Sequence, residues 1–347
     1  MAPKFKGDSD DWLDDEKSGR GKNVRLRPKK AVHAKSVGLP FEQANAVVAE
    51  VFPNQCRVKL DSDHSEILCS YRRAQVVSKT KAEIRERTPV AVGDRVLVQV
   101  TGTDTGVIEG ICERKNCISR VAPGRDSENF HHVLAANIDL LVIVAACQDP
   151  QFVPGIIDRF LVVAESEGVD AALCITKIDL SATEGHASEA NPPWEIYKKY
   201  EYPVFEVSST RSTGIEELKK HILGKTVVFC GHSGVGKTSL LRVLLEKEIG
   251  KIGQVNEQTG KGRHTTTGAV LLGGPDHSQW IDTPGVKEFG LSKITPKLLS
   301  QFFPEFRDLP CQKAGCQHWE ETHCDARQQP RYLSYKRILA DLLEPKK

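Results

Sequence analysis

The chain has 347 residues, 39% hydrophobic and 27% charged, with 48 Lys/Arg against 46 Asp/Glu and a formal charge of +2. At roughly 150 residues per domain this length suggests two or three domains, and the near-neutral balance excludes a chain that is polycationic throughout. The longest apolar run, Leu140 to Cys147, is far short of the ~20 residues a membrane helix needs, and the opening MAPKFKGDSDDW has no apolar segment of the secretory type.

Residues 1–40 are charged and unevenly so. Met1 to Glu16 holds six acids and two lysines, whereas Lys17 to Lys35 holds eight Lys/Arg and no acid. With few apolar side chains the segment cannot offset the entropy of ordering, and a mobile tail is expected. Either it is solvated, or it is an arm that neutralises nucleic-acid phosphates.

Residues 41–120 read as β-rich. AVVAEVF, QCRVKL, EILCSY, DRVLVQV and GVIEGICER are short strand candidates between turn signals. Five strands in this length suggest an OB-type barrel, although periodicity does not separate it from an SH3-like barrel; an OB barrel often binds RNA, but the fold alone does not establish that use. The polar stretch KTKAEIRERTP reads as an exposed loop. From about residue 130 buried strands alternate with helices: NIDLLVIVAA, IIDRFLVVAESEG, DAALCITK, PWEIYKKYE, YPVFEVSS, GIEELKKHI and KTVVFC. That alternation implies a parallel sheet covered on both faces, an α/β domain over residues 121–292. Residues 293–347 carry shorter, mainly helical elements around a Cys/His cluster.

Three segments point to one nucleotide pocket. Gly231-His232-Ser233-Gly234-Val235-Gly236-Lys237-Thr238 fits G-x-x-x-x-G-K-[ST] in full and lies between a buried strand and a helix that continues through Ser239. Loop amides and a helix N-terminus cradle phosphates there, Lys237 reaches the β/γ oxygens, and Thr238 can hold Mg²⁺. Asp282-Thr283-Pro284-Gly285 ends another apolar strand; Asp282 can hold Mg²⁺ through water, and the Gly285 N–H can meet the γ-phosphate. Thr176-Lys177-Ile178-Asp179 ends a third. The Asp179 carboxylate can accept from guanine N1–H and the 2-amino group, a donor pair adenine lacks, so an unpaired buried carboxylate would penalise ATP. The Lys177 stem can lie over the base, and Ser208-Ser209-Thr210 can place an N–H near guanine O6. Ordinary GTPases run phosphate loop first and T-K-x-D last. Here T-K-x-D and the serine loop precede the phosphate loop and D-x-x-G, which is a circular permutation of a pocket assembled in space.

Ten cysteines are too few for a disulfide framework, and several of the first seven sit in apolar runs as small hydrophobes. The last three, Cys311, Cys316 and Cys324, fall beside His318 and His323. Three thiolates and an imidazole make a closed structural zinc set, and metal binding should be coupled to folding in so small a region.

The permuted motifs, with Asn137-Ile138-Asp139, Ile157-Asp158-Arg159, GRHTTT (Gly262 to Thr267) and DTPGVKEFGL, resemble the RsgA (YjeQ/EngC) family of small-ribosomal-subunit-dependent GTPases over about residues 42–340. The resemblance implies the order OB barrel, GTPase, zinc domain. It also implies GTP hydrolysis stimulated by the small (30S) subunit, a role in its late maturation and in assembly-factor release, and rRNA as partner. His318 fits the family's ligand spacing better than His323. Thr176 stands where the family usually has Asn, and Gly234 where potassium-activated GTPases carry Asn.

Two switch residues follow. A threonine in GRHTTT should close over Mg²⁺; Thr266 is favoured by its distance from the next strand, with Thr265 and Thr267 as alternatives. Val286 replaces the water-orienting Gln of familiar GTPases and cannot hydrogen-bond a water, so His264 is the candidate orienting group. Arg331 to Leu339 reads as a helix whose apolar face packs on the zinc domain and whose basic residues touch rRNA or solvent. A cytoplasmic monomer holding GTP/GDP, Mg²⁺ and one Zn²⁺ is the resulting expectation. The competing readings are a nucleotide-gated RNA-binding scaffold and a GTPase acting on a different RNA.

Overall fold

The computed structural model describes residues 39–71, 85–86, 90–121, 130–181, 192–246, 268–283, 289–291, 294–307, 309, 311, 316–319 and 324–343. Strands β1 (Ala46–Phe52), β2 (Gln55–Leu60) and β3 (Glu66–Ser70) are followed by the two-residue β4 (Arg85–Glu86), then β5 (Arg95–Gly102) and β6 (Thr105–Ile111). Inward and outward residues alternate: Cys56 and Val58 are buried between exposed Gln55 and half-buried Arg57, and Ile67 and Cys69 alternate with exposed neighbours. The order β1-β2-β3-β6-β5 closes where β5 returns to β1 at Ala46 and Val96, and β3 and β6 run parallel. Five strands closed this way form an OB-type barrel, which settles the choice the sequence leaves open. The KTKAEIRERTP stretch is not wholly a loop, because β4 pairs with β8 (Phe130–Ala136), which also pairs with β7 (Cys117–Val121).

The α/β sheet continues from the barrel where Glu50 of β1 pairs with Val270. Its strands are β9 (Leu140–Ala146), β10 (Asp170–Thr176), β11 (Val204–Glu206), β12 (Thr226–Cys230), β13 (Val270–Gly273) and β14 (Gln279–Asp282). They lie in the order β11-β10-β9-β12-β14-β13, all parallel except β13. Every residue of β9 is buried, as a central strand covered on both faces requires. Alternate side chains supply two separate cores. Leu141, Ile143 and Ala145 join Leu173, Ile175 and Val228 on one face, and Leu140, Val142 and Val144 join Cys174, Val227 and Phe229 on the other.

The first face is covered by α1 (Pro154–Glu167), which starts on a proline and stops at Gly168 in the left-handed conformation. The second is covered by α3 (Ile215–Ile222) and α4 (Lys237–Leu245), while the short α2 (Glu195–Lys199) buries Tyr197 in the first core. The C-terminal segment adds 3₁₀ turns at Leu299–Phe302, Pro304–Phe306 and Asp325–Gln328 and the helix α5 (Tyr332–Leu343). The apolar face of α5 does not serve a separate zinc domain alone. It packs on α1, and Tyr335, Ile338 and Leu339 share one core with Phe160 and Leu161. Among the described residues no helix is long and apolar enough to cross a membrane.

Candidate nucleotide and metal sites

The phosphate loop leaves β12 at Cys230 and enters α4 at Lys237. Gly231 starts it at φ +147°, and a Cβ there would lie 2.1 Å from the Val144 carbonyl oxygen, so the loop can pack against β9 only with glycine. Gly234 and Gly236 also have positive φ, and His232, Ser233 and Gly234 are exposed. Val235 is buried and anchors the loop in the second core. Thr238 and Ser239 lie exposed in the first turn of α4, at the positive end of the helix dipole.

Lys237 donates to the Gly231 carbonyl at 2.8 Å. Burial lowers its pKa, and the nearby Asp282 carboxylate opposes that shift. Asp282, at the end of β14, is pushed the other way, upward, chiefly by burial and against the pull of Lys237. Its Oδ1 is buried without a hydrogen-bond partner among the described residues. Thr283 is turned away from the loop and donates to the Phe229 carbonyl at 2.8 Å.

The T-K-x-D turn lies beside this loop although 60 positions separate Thr176 from Gly236 in the sequence. The buried Thr176 hydroxyl donates to the Val235 carbonyl and also lies 3.2 Å from that of Ala145. Lys177 adopts φ +58°, and its ammonium donates to the Asp149 carbonyl. Asp179 sits in the 3₁₀ turn Ile178–Leu180 and accepts from the Ser208 hydroxyl at 2.6 Å. That bond is the main reason its carboxyl is held below its ordinary pKa. Ser208 is itself fixed by Thr210 Oγ1 at 2.9 Å, the Arg211 N–H at 3.1 Å and backbone pairing with Thr213. Ser209 is half-buried and Thr210 exposed in the same turn.

Cys311, Cys316 and His318 bring their ligand atoms within 4.8 Å of one another. His318 Nδ1 lies 3.7 Å from Cys311 Sγ, 3.5 Å from Cys316 Sγ and 3.0 Å from Cys324 Sγ. Sulfur and nitrogen on a shared tetrahedral zinc would stand about 3.5 Å apart, which the first two distances match and the third undercuts. Desolvation, then the neighbouring Cys316, pushes the Cys311 thiol up to about 11. Helix α5 holds the ligand loop from beneath: Tyr335 donates to the Gln317 carbonyl at 2.6 Å and Tyr332 to the His318 carbonyl at 3.0 Å.

A sequence model of the RsgA GTPase family matches residues 111–292, the span that holds the phosphate loop, the T-K-x-D turn and Asp282. The chain belongs to the RsgA GTPase family. It is therefore a GTP-hydrolysing enzyme, as the resemblance implies. It is 36% identical over 269 residues to a Flavobacterium johnsoniae protein named small ribosomal subunit biogenesis GTPase RsgA, covering 74% of this chain and 82% of that one. The RsgA of Chlorobaculum tepidum is 35% identical over 289 residues, covering 78% and 91%. Among solved structures, YjeQ from Thermotoga maritima superposes with a TM-score of 0.62 at 28% identity, covering 87% of this chain and 99% of that one. YloQ, titled a circularly permuted GTPase, gives 0.62 at 25% identity, covering 91% and 100%.

The donor chemistry fits the groups an RsgA GTPase implies. Thr238 and the orphaned Asp282 oxygen offer oxygens only, suited to a hard cation such as Mg²⁺. The C-terminal cluster offers soft sulfur with one nitrogen, suited to zinc. Gly285, His264, Thr265, Thr266, Thr267, Val286 and His323 lie outside the described residues. Sequence reasoning missed a buried charge cluster. Arg331 does not reach toward rRNA or solvent; it is 4% exposed and bonds Glu305 at 2.6 and 2.7 Å and Asp158 at 3.2 Å. A readable signal existed, since Asp158 stands between Ile157 and Phe160 on the apolar face of α1.

Proposed function

We propose that this enzyme hydrolyses GTP in the pocket between the phosphate loop and the T-K-x-D turn. We further propose that the small ribosomal subunit stimulates it during late maturation. The observation that carries the pocket is the Thr176 hydroxyl bonded to the Val235 carbonyl, which ties a guanine-type turn to a phosphate loop. Asp179, steadied by Ser208, would accept from guanine N1–H and the 2-amino group; Lys177 would cover the base, and the Ser208–Thr210 turn would face O6. Amides of Gly231 to Thr238 and the Lys237 ammonium would stabilise charge growing on the β/γ oxygens, with Ser239 continuing the helix start. Thr238, Asp282 and Thr266 would hold Mg²⁺, which neutralises phosphate charge when bound. Gly285 would meet the γ-phosphate, and His264 would orient the attacking water in place of Val286.

Cys311, Cys316, His318 and Cys324 would hold one structural zinc. The chain then reads as a charged tail over 1–40, an RNA-binding barrel over 41–120, a permuted GTPase over 121–292 and a zinc module over 293–347. The relatives' names carry the ribosomal partner and, with it, a cytoplasmic setting. Calorimetry should show GDP bound and ADP refused, and turnover should rise when purified small subunits are added. Subunits that bind without accelerating hydrolysis would favour a nucleotide-gated scaffold. Acceleration by another RNA alone would move the enzyme to that substrate.

A further inference from the structure

The loop that leaves β9 runs under the guanine-type turn before it enters α1. At its start, the Cys147 N–H donates to the Thr176 carbonyl at 3.0 Å. The Cys147 Sγ lies 2.9 Å from the Lys177 carbonyl oxygen. Two residues on, the Asp149 carbonyl accepts from the Lys177 ammonium. The other donor to the Lys177 carbonyl is the Leu180 N–H at 2.9 Å, which closes the turn around Asp179. Both lone pairs of that carbonyl are thereby taken, one by the turn itself and one by a side chain from another strand.

This matters because Lys177 is a non-glycine residue at φ +58°. A left-handed non-glycine residue is strained and persists only where surrounding contacts over-determine it. Cys147 is 8% exposed and packed in the first core, so its sulfur cannot swing away without opening a void. Burial pushes its thiol pKa up, which keeps the proton on sulfur at neutral pH and the group a donor.

We infer that Cys147 is a positioning residue for base recognition: its S–H fixes the Lys177 carbonyl and so sets the angle at which Asp179 meets a guanine. The inference rests on the guanine reading of Asp179 given above. Cys147 itself touches no reacting atom. Its contribution is the register between β9 and the turn that ends β10.

The test compares GDP, inosine diphosphate and ADP on the full-length protein by calorimetry. Inosine lacks the 2-amino group, so the preference for GDP over inosine diphosphate reads the geometry of Asp179 directly. Cys147→Ala should weaken GDP roughly threefold to tenfold, the range of one modest hydrogen bond, and should narrow the preference over inosine diphosphate. Cys147→Ser should restore both. Its oxygen sits a few tenths of an ångström further back than sulfur but still within reach of the carbonyl. Cys147→Val fills the volume without a donor and replaces the alanine variant if that variant does not fold. A preference unchanged in the donor-free variants, or lowered equally in the serine variant, overturns the inference. A wild-type protein that does not prefer GDP over ADP overturns the guanine reading instead.

Discussion

Thr176 shows how one hydroxyl can do the work of a larger amide. It is buried at the end of β10 and faces two carbonyls, Val235 on the phosphate loop and Ala145 on β9. A hydroxyl has one proton to give, so the loop and the strand share it. Thr176→Val keeps the shape and removes the donor that the Val235 carbonyl accepts from, so the tie between the turn and the phosphate loop is lost. GDP affinity should fall roughly threefold to tenfold by calorimetry, while Thr176→Asn, which can donate twice, should hold or raise it. The residue types at these positions were legible from the sequence because phosphate-loop and T-K-x-D spacing carry their own chemistry. The hydroxyl's bond to the Val235 carbonyl was not, because it joins elements that only the strand order brings together. Cys147 was invisible for the same reason. As the last residue of an apolar run it reads as a small hydrophobe, and nothing in one sequence shows the carbonyl it faces.

At the scale of elements, periodicity served well wherever both faces of a strand or one face of a helix are buried. The boundaries of β1 and β2 match AVVAEVF and QCRVKL residue for residue. The β7–β8 pair escaped because neither strand alternates: Cys117, Ile118 and Ser119 are buried in succession, as are Val133 to Ala136, so both faces are covered and no period-two pattern shows. Helix α5 was legible as a helix but not in its two duties. One face joins the core against α1, and its first turn props the Cys/His loop through two tyrosine hydroxyls. Removing one prop should loosen the metal without unfolding the helix. Tyr335→Phe keeps the ring packed against Phe303 and Phe306 and deletes the bond to Gln317. Zinc release to a chromogenic chelator should quicken several-fold, since supporting contacts around metal ligands commonly change affinity tenfold or more. The far-ultraviolet circular dichroism should not change. A release rate equal to wild type would show that the ligand loop holds its own shape.

At the scale of the whole molecule, the permutation places the C-terminal segment after β14, and the buried triad fastens it back onto the GTPase sheet. Arg331 lies between Asp158 of α1 and Glu305 of the 3₁₀ turn, with the rings of Tyr200 and Phe303 at 4.8 and 5.0 Å from the guanidinium carbon. Such a cluster is weak evidence for net stability, because desolvating three charges consumes most of what their attraction returns. Breaking it is another matter. Arg331→Met would leave two carboxylates facing each other in the dark of the core, and should cost about 3–5 kcal/mol in urea unfolding. Adding Asp158→Asn and Glu305→Gln to that variant should recover a large part of the loss, since the three sites share one network and do not add. The pH dependence has a definite sign. Burial pushes Asp158 up to about 6 in the folded protein even with Arg331 beside it, against about 4 unfolded. Between those values the folded state binds the extra proton, so this group's contribution to stability grows as pH falls from about 6 toward 4. Asp158→Asn should flatten that part of the profile while Arg331 keeps its two bonds to Glu305. If the profile of Asp158→Asn overlays wild type across the same range, Asp158 titrates as an ordinary carboxyl and the triad's electrostatics are carried by Glu305 alone.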